Sequence, residues 1–204
     1  MATSQCFENP QSLSSTCGSG NLQEIGGLKT YVTGPQDSKL AILLISDVFG
    51  YEAPNLRKLA NKVAAEGFLV VVPDFFYGEP FNLNNPNMDR ESWRKAHGVD
   101  KGFEDAKPVI SALRSKGVTS IGAAGFCWGG VVVVKLARTD EIQAAVVLHP
   151  GCITEDEIKG KFHTSQAHNL YVCVSVTDSL FLQRLSAQFQ YWEPRLTRYL
   201  HLNN

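Results

Sequence analysis

Two hydrophobic rhythms take turns along this chain. Leu40-Ala41-Ile42-Leu43-Leu44-Ile45-Ser46 and Phe68-Leu69-Val70-Val71-Val72-Pro73-Asp74 are almost uniformly apolar, the pattern of strands covered on both faces of a sheet. Between them, Leu56, Leu59, Val63 and Ala64 recur at helical spacing, and Gly67 ends the run. The exchange repeats downstream, where 100–116 predicts a helix, 118–124 a strand, 128–138 a helix and 142–148 a strand. Upstream, residues 23–32 predict a hairpin-like strand pair about Gly26-Gly27, and Gly34-Pro35-Gln36-Asp37 predicts a turn. Strand and helix in alternation predict an α/β fold: a mostly parallel sheet sandwiched by helices, with ligands bound at the carboxyl ends of the strands. Residues 75–87 break the rhythm with Phe, Tyr, Asn and Pro. A loop of that length predicts a wall of a binding site.

Composition narrows the classes. A chain of 204 residues, 44% hydrophobic and 19% charged, supports one domain with a sizeable core. A formal net charge of -1 leaves no basic stripe for nucleic acid and no polybasic segment for a membrane surface, so the expected partner is a small molecule. The cysteines, Cys6, Cys17, Cys127, Cys152 and Cys173, are odd in number and form no C-x-x-C pair. Neither a disulfide framework nor a zinc site is suggested, no cofactor is expected, and reduced thiols fit a cytoplasmic location. Residues 1–21 read as a loose leader without the apolar run of a secretory signal. No stretch is long enough to span a bilayer.

The candidate chemistry sits between a predicted strand and a predicted helix. Gly125-Phe126-Cys127-Trp128-Gly129-Gly130 has the form of a nucleophile elbow with cysteine in the serine's place. A strand that turns sharply into a helix strains its turn residue, and glycines two positions to either side are needed where a side chain would collide. Cys127 would then stand at a helix N-terminus, where unpaired N–H groups and the helix dipole favour the thiolate. The competing reading is a structural core thiol, since free cysteine is among the most buried residue types.

With Ser46-Asp47-Val48-Phe49-Gly50, Val72-Pro73-Asp74-Phe75-Phe76-Tyr77-Gly78, the elbow and Leu148-His149-Pro150-Gly151 in this order, the chain resembles the dienelactone hydrolase family, its plant members above all, from about residue 22 to residue 160. The resemblance implies an α/β-hydrolase fold and a Cys/Asp/His triad opening a lactone or carboxylic ester through an acyl-cysteine. It casts Cys127 as nucleophile and the backbone N–H groups of Trp128 and Val48 as the oxyanion hole. Asp47 matches the family's acidic residue, usually glutamate, that restrains the nucleophile. Arg90 and Arg94 fall in the segment of a family arginine that grips a substrate carboxylate, and equally suit a solvated helix face. Asp74 reads as a turn former. His149 ends a strand, but the resemblance does not make it the base. Trp93 and Phe75-Phe76-Tyr77 suit a pocket lining or plain packing. Plant relatives labelled as β-glucan endohydrolases supply an alternative activity, and a non-catalytic truncated product is the other alternative.

The resemblance implies three regions: the leader 1–21, an incomplete hydrolase-like domain 22–160, and a tail 161–204 unlike the family. In that tail the segment carrying the triad acid and the His-Gly of the base are absent, so the last strands and helix are expected to be missing or replaced. The tail is expected to be poorly ordered or loosely docked, and activity impaired. Asp178, after residues 170–177, imitates a strand with an acid at its tip, and His201 follows without a strand before it or a glycine after it. Back-translated from the third base of the Gln190 codon, residues 190–203 admit V-L-G-A-E-I-D-Q-V-S-P-P-E, and Gly160-Lys161-Phe162 admits a plant-type splice donor. The expectation is a translated retained intron from near Lys161 to near Arg184, which sequencing the transcript beside its gene tests.

Overall fold

The computed structural model describes residues 18–151 and 169–173. The leader up to residue 17, Cys152, most of the tail, Asp178 and His201 lie outside the described residues. The order along the chain is β1 (Asn21–Ile25), β2 (Leu28–Thr33), β3 (Leu40–Ile45), α1 (Pro54–Ala65), β4 (Leu69–Pro73), α2 (Arg90–Ala96), α3 (Val99–Ser115), β5 (Ser120–Phe126), α4 (Trp128–Leu136), β6 (Ala144–Leu148) and β7 (Asn169–Cys173). Each predicted element is present, with ends shifted by a residue or two.

The strands form one sheet in the order β1-β2-β4-β3-β5-β6-β7. β1 pairs antiparallel with β2 and β2 with β4, while β4, β3, β5, β6 and β7 run parallel. Alternate side chains of β3 divide between two buried clusters. Ala41, Leu43 and Ile45 join the face carrying α3 and α4, and Ile42 and Leu44 join the face carrying α1. Burial on both faces explains why β3 and β4 read as continuous apolar runs.

This order positions the site. From β3 the chain crosses outward to β4, then returns to lay β5 on the other side of β3. The crevice at such a reversal, outside the carboxyl ends of the strands, is where open α/β sheets bind ligands. Ser46 to Val48 leave β3 at that point, and Cys127 leaves β5. β7 lies within the stretch expected to dock loosely; its backbone pairs residue by residue with β6, from Ala144 opposite Asn169 to Leu148 opposite Cys173.

Candidate active site

Cys127 joins β5 to α4 with φ 50 and ψ -107, a conformation L-residues rarely adopt. The flanking glycines make it possible. A Cβ on Gly125 would press against the carbonyl of Gly129 and lie 2.7 Å from the Gly130 nitrogen. One on Gly129 would collide with the Ile45 carbonyl oxygen and lie 2.5 Å from that of Ser46. Hydrogen bonds close the bend: the Cys127 N–H donates to Leu148 O (3.1 Å), Gly151 N–H to Cys127 O (3.0 Å) and Gly129 N–H to Ser46 O (3.2 Å). The thiol is free of any disulfide and 1% exposed, within the cluster that holds Val48, Phe75 and Trp128.

Val48 and Trp128 flank this bend, Val48 three residues past the end of β3 and Trp128 at the start of α4. Each is held by a hydrogen bond. Phe81 N–H donates to Val48 O (2.8 Å), and the Trp128 indole Nε1–H donates to the His97 carbonyl (2.8 Å). Asp47 Oδ1 accepts the Phe49 N–H (2.9 Å), and Gly50 N–H donates to Asp47 O (3.2 Å). The half-buried aspartate therefore shapes the turn that presents Val48.

Arg90 and Arg94 lie exposed on α2, whose one buried residue is Trp93. The Trp93 indole donates to Glu79 O (2.8 Å) and packs against Phe76 and Phe81, with ring centroids 5.0 and 5.5 Å away. Phe76 in turn meets the Trp128 ring edge-on at 4.8 Å. The aromatic residues of the loop thus brace the elbow's tryptophan, and the long segment is fastened to Val48, Asp74 and α2.

Two polar atoms beside the elbow are buried without a hydrogen-bond partner among the described residues, Ser46 Oγ at the tip of β3 and His149 Nδ1 at the tip of β6. His149 has φ 35. Among the described residues no group of His, Cys, Asp and Glu is arranged to hold a metal ion, and no helix is long and apolar enough to cross a membrane.

A cavity of about 520 Å³ opens beside the site, lined by Lys29, Phe49, Tyr51, Glu52, Asp74 and Tyr77 among others, and Cys127 is not part of its wall. Asp74 is the turn former expected: Oδ1 accepts the Phe76 N–H (3.1 Å) and Oδ2 the Gly78 N–H (2.7 Å). Burial raises its pKa above the ordinary value despite those bonds, with Glu52 adding to the rise. Sequence reasoning missed Lys29, Tyr51 and Glu52. They carry no motif and come from separate segments.

His97 adds a pH dependence to this scaffold. It is 8% exposed, and burial pulls its pKa below 6.5, aided by Lys101 and opposed by Glu79 and Asp74. Between the folded value and about 6.5 the unfolded chain binds the extra proton, so stability rises with pH across that window. In urea unfolding at a series of pH values, His97→Phe is expected to flatten this slope. Parallel slopes for the two chains would show that His97 contributes nothing to it.

A cysteine with φ 50 between Gly125 and Gly129, at the reversal of a mostly parallel sheet, has the geometry of an α/β-hydrolase elbow. The profile of the dienelactone hydrolase family matches residues 28–190, and the chain belongs to that family. It is 40% identical over 164 residues to an endo-1,3;1,4-beta-D-glucanase of Zea mays, covering 78% of this chain and 53% of that protein. It is 34% identical over 144 residues to a carboxymethylenebutenolidase homolog of Mus musculus, covering 69% of this chain and 58% of that one. The chain thus spans little more than half the length of these relatives. Among solved structures it matches a dienelactone hydrolase-like promiscuous phosphotriesterase from metagenomic libraries, with TM-score 0.53, 18% identity and coverage of 85% and 77%, a likeness of fold.

Proposed function

We propose that this protein is a hydrolase of lactones or carboxylic esters that works through Cys127. The observation that carries the reading is the Cys127 backbone, φ 50 between Gly125 and Gly129, which places a thiol at the first turn of α4. The sulfur attacks the carbonyl carbon, and the Val48 and Trp128 N–H groups receive the negative charge that develops on oxygen. The C–O bond then breaks, the alcohol leaves with a proton, and an acyl-cysteine remains. Water adds hydroxide to the acyl carbon and returns a proton to the thiol, releasing the acid. The family and the carboxymethylenebutenolidase homolog support this chemistry.

Mass spectrometry of the chain quenched during reaction with p-nitrophenyl acetate is the direct test. The expected result is a single acetyl group on Cys127. Acetylation elsewhere, with Cys127 unmodified, would sink the proposal.

The second reading is cleavage of mixed-linkage glucan, as the name of the Zea mays relative suggests. Glycoside hydrolysis normally uses a pair of carboxylates, and Glu52 and Asp74 line one cavity. Reducing sugar released by a Cys127→Ala chain would favour this reading over the thiol mechanism.

A further inference from the structure

Among the described residues, Tyr77, Cys127 and His149 are the non-glycine residues with positive φ. Cys127 and His149 belong to the elbow; Tyr77 belongs to the cavity. At φ 55 a bulky aromatic residue is a steric outlier, and such strain persists only where neighbours impose it. Here Asp74 imposes it, since its carboxylate grips the N–H groups on either side, those of Phe76 and Gly78. The outcome is a tyrosine ring held 54% exposed at the rim of a cavity.

The wall opposite is equally fixed. Arg57, 1% exposed, lies 4.8 Å from the Tyr31 ring centroid and 5.1 Å from that of Tyr51. Its Nε donates to Tyr51 O (3.2 Å), and its guanidinium faces Glu52 Oε1 at 4.0 Å. The Tyr51 hydroxyl donates to the same Glu52 oxygen (3.1 Å). A volume of about 520 Å³ falls within the range of small-molecule sites, about 300–1,000 Å³.

The lining chooses the ligand. The carboxylate oxygens of Glu52 and Asp74 accept hydrogen bonds, so a guest that reaches them donates. Tyr77, Phe49 and Pro80 supply apolar surface. An organic cation is disfavoured: the Arg57 guanidinium faces Glu52 at 4.0 Å, and Lys29 lines the cavity together with Asp74. The carboxylates are thus offset by Arg57 and Lys29, and a neutral, hydroxyl-rich guest with apolar faces remains. We propose that this cavity binds a neutral saccharide, one sugar face against Tyr77 and its hydroxyls donating to Glu52 and Asp74. The proposal rests on the cavity that the glucan reading also uses through Glu52 and Asp74, and on no catalytic step. Phe49 follows Val48 directly, so the cavity wall continues into the loop that presents the elbow's amide.

Calorimetric titration of the full chain with cellotriose, beside tetramethylammonium chloride as a cation probe, tests it. Saturable cellotriose binding with Kd on the order of 1 mM is expected, weakened about tenfold in Glu52→Gln, which replaces a charged acceptor by a neutral one. Tyr77→Gly removes the ring and relieves the strain, so it is expected to abolish binding with an unchanged or higher melting temperature. Tyr77→Asn, which tolerates the same backbone conformation, is expected to give the same loss. Binding in the Cys127→Ala chain separates this site from ester hydrolysis. No saturable cellotriose binding, binding indifferent to both Tyr77 substitutions, or binding of tetramethylammonium alone would overturn the proposal.

Discussion

Cys127→Ala is expected to cut esterase turnover on p-nitrophenyl acetate by about tenfold or more, a smaller loss than in a complete triad enzyme because the nucleophile is expected to act here without the family's acid and base. A loss of that size separates acyl transfer from a passive core thiol, because substituting a buried cysteine that only packs leaves turnover per folded molecule unchanged. The backbone supplies a second signature. Exchanging alanine for glycine within regular structure usually destabilises by about 0.5–1 kcal/mol. At φ 50 and ψ -107 the order is expected to reverse, with Cys127→Gly more stable than Cys127→Ala by about 1 kcal/mol, since strain of this kind costs about 1–3 kcal/mol. Chemical denaturation of the two variants measures the difference. An alanine variant as stable as the glycine one, with turnover intact, would remove both the strain and the nucleophile from the account.

Gly129→Ala is expected to be strongly destabilising. The added Cβ meets the carbonyls of Ile45 and Ser46, the latter at 2.5 Å. Both are backbone atoms at the end of a central strand, so no side chain can swing away. Either α4 lifts or β3 shifts, and the bond from Gly129 N–H to Ser46 O is lost in each case. A cost of about 3 kcal/mol or more is expected, a fall in melting temperature of about 10 °C for a domain this size. Gly67→Ala is the control: its φ of 91 disfavours alanine, yet nothing lies within 4 Å of the added carbon. Its cost should stay near 1 kcal/mol. Equal losses at the two positions would show that the close approach at Gly129 adds no cost of its own.

The contrast between these glycines shows how much of the site could be read from residues. Glycines two positions either side of Cys127, between an apolar run and a helical one, announce a turn that no side chain may enter, so the elbow was visible in the chain. Asp74 was visible as a turn former for a similar reason: a short carboxylate after a strand satisfies the local N–H groups. Arg90 and Arg94 stayed ambiguous because charge on a helix face looks the same whether it meets substrate or water, and in the fold they face outward with Trp93 turned in. The cavity was invisible. Lys29 starts a hairpin strand, Glu52 follows a loop glycine, and Tyr77 sits in an irregular stretch, with no spacing to connect them.

Local rules therefore fixed what depends on nearest neighbours. The period of the apolar positions set helix against strand, and runs without polar breaks marked strands buried on both faces, because only that burial makes a continuous hydrophobic strand stable. Tertiary structure alone decided what depends on distant segments meeting. It laid β3 between β4 and β5, so that the ends of β3 and β5 face one crevice. It held the Trp128 indole on the His97 carbonyl, and it forced Tyr77 into a conformation its own sequence disfavours. Strand order and backbone strain are set by the packing of the whole sheet and its loops, and no residue carries that information by itself.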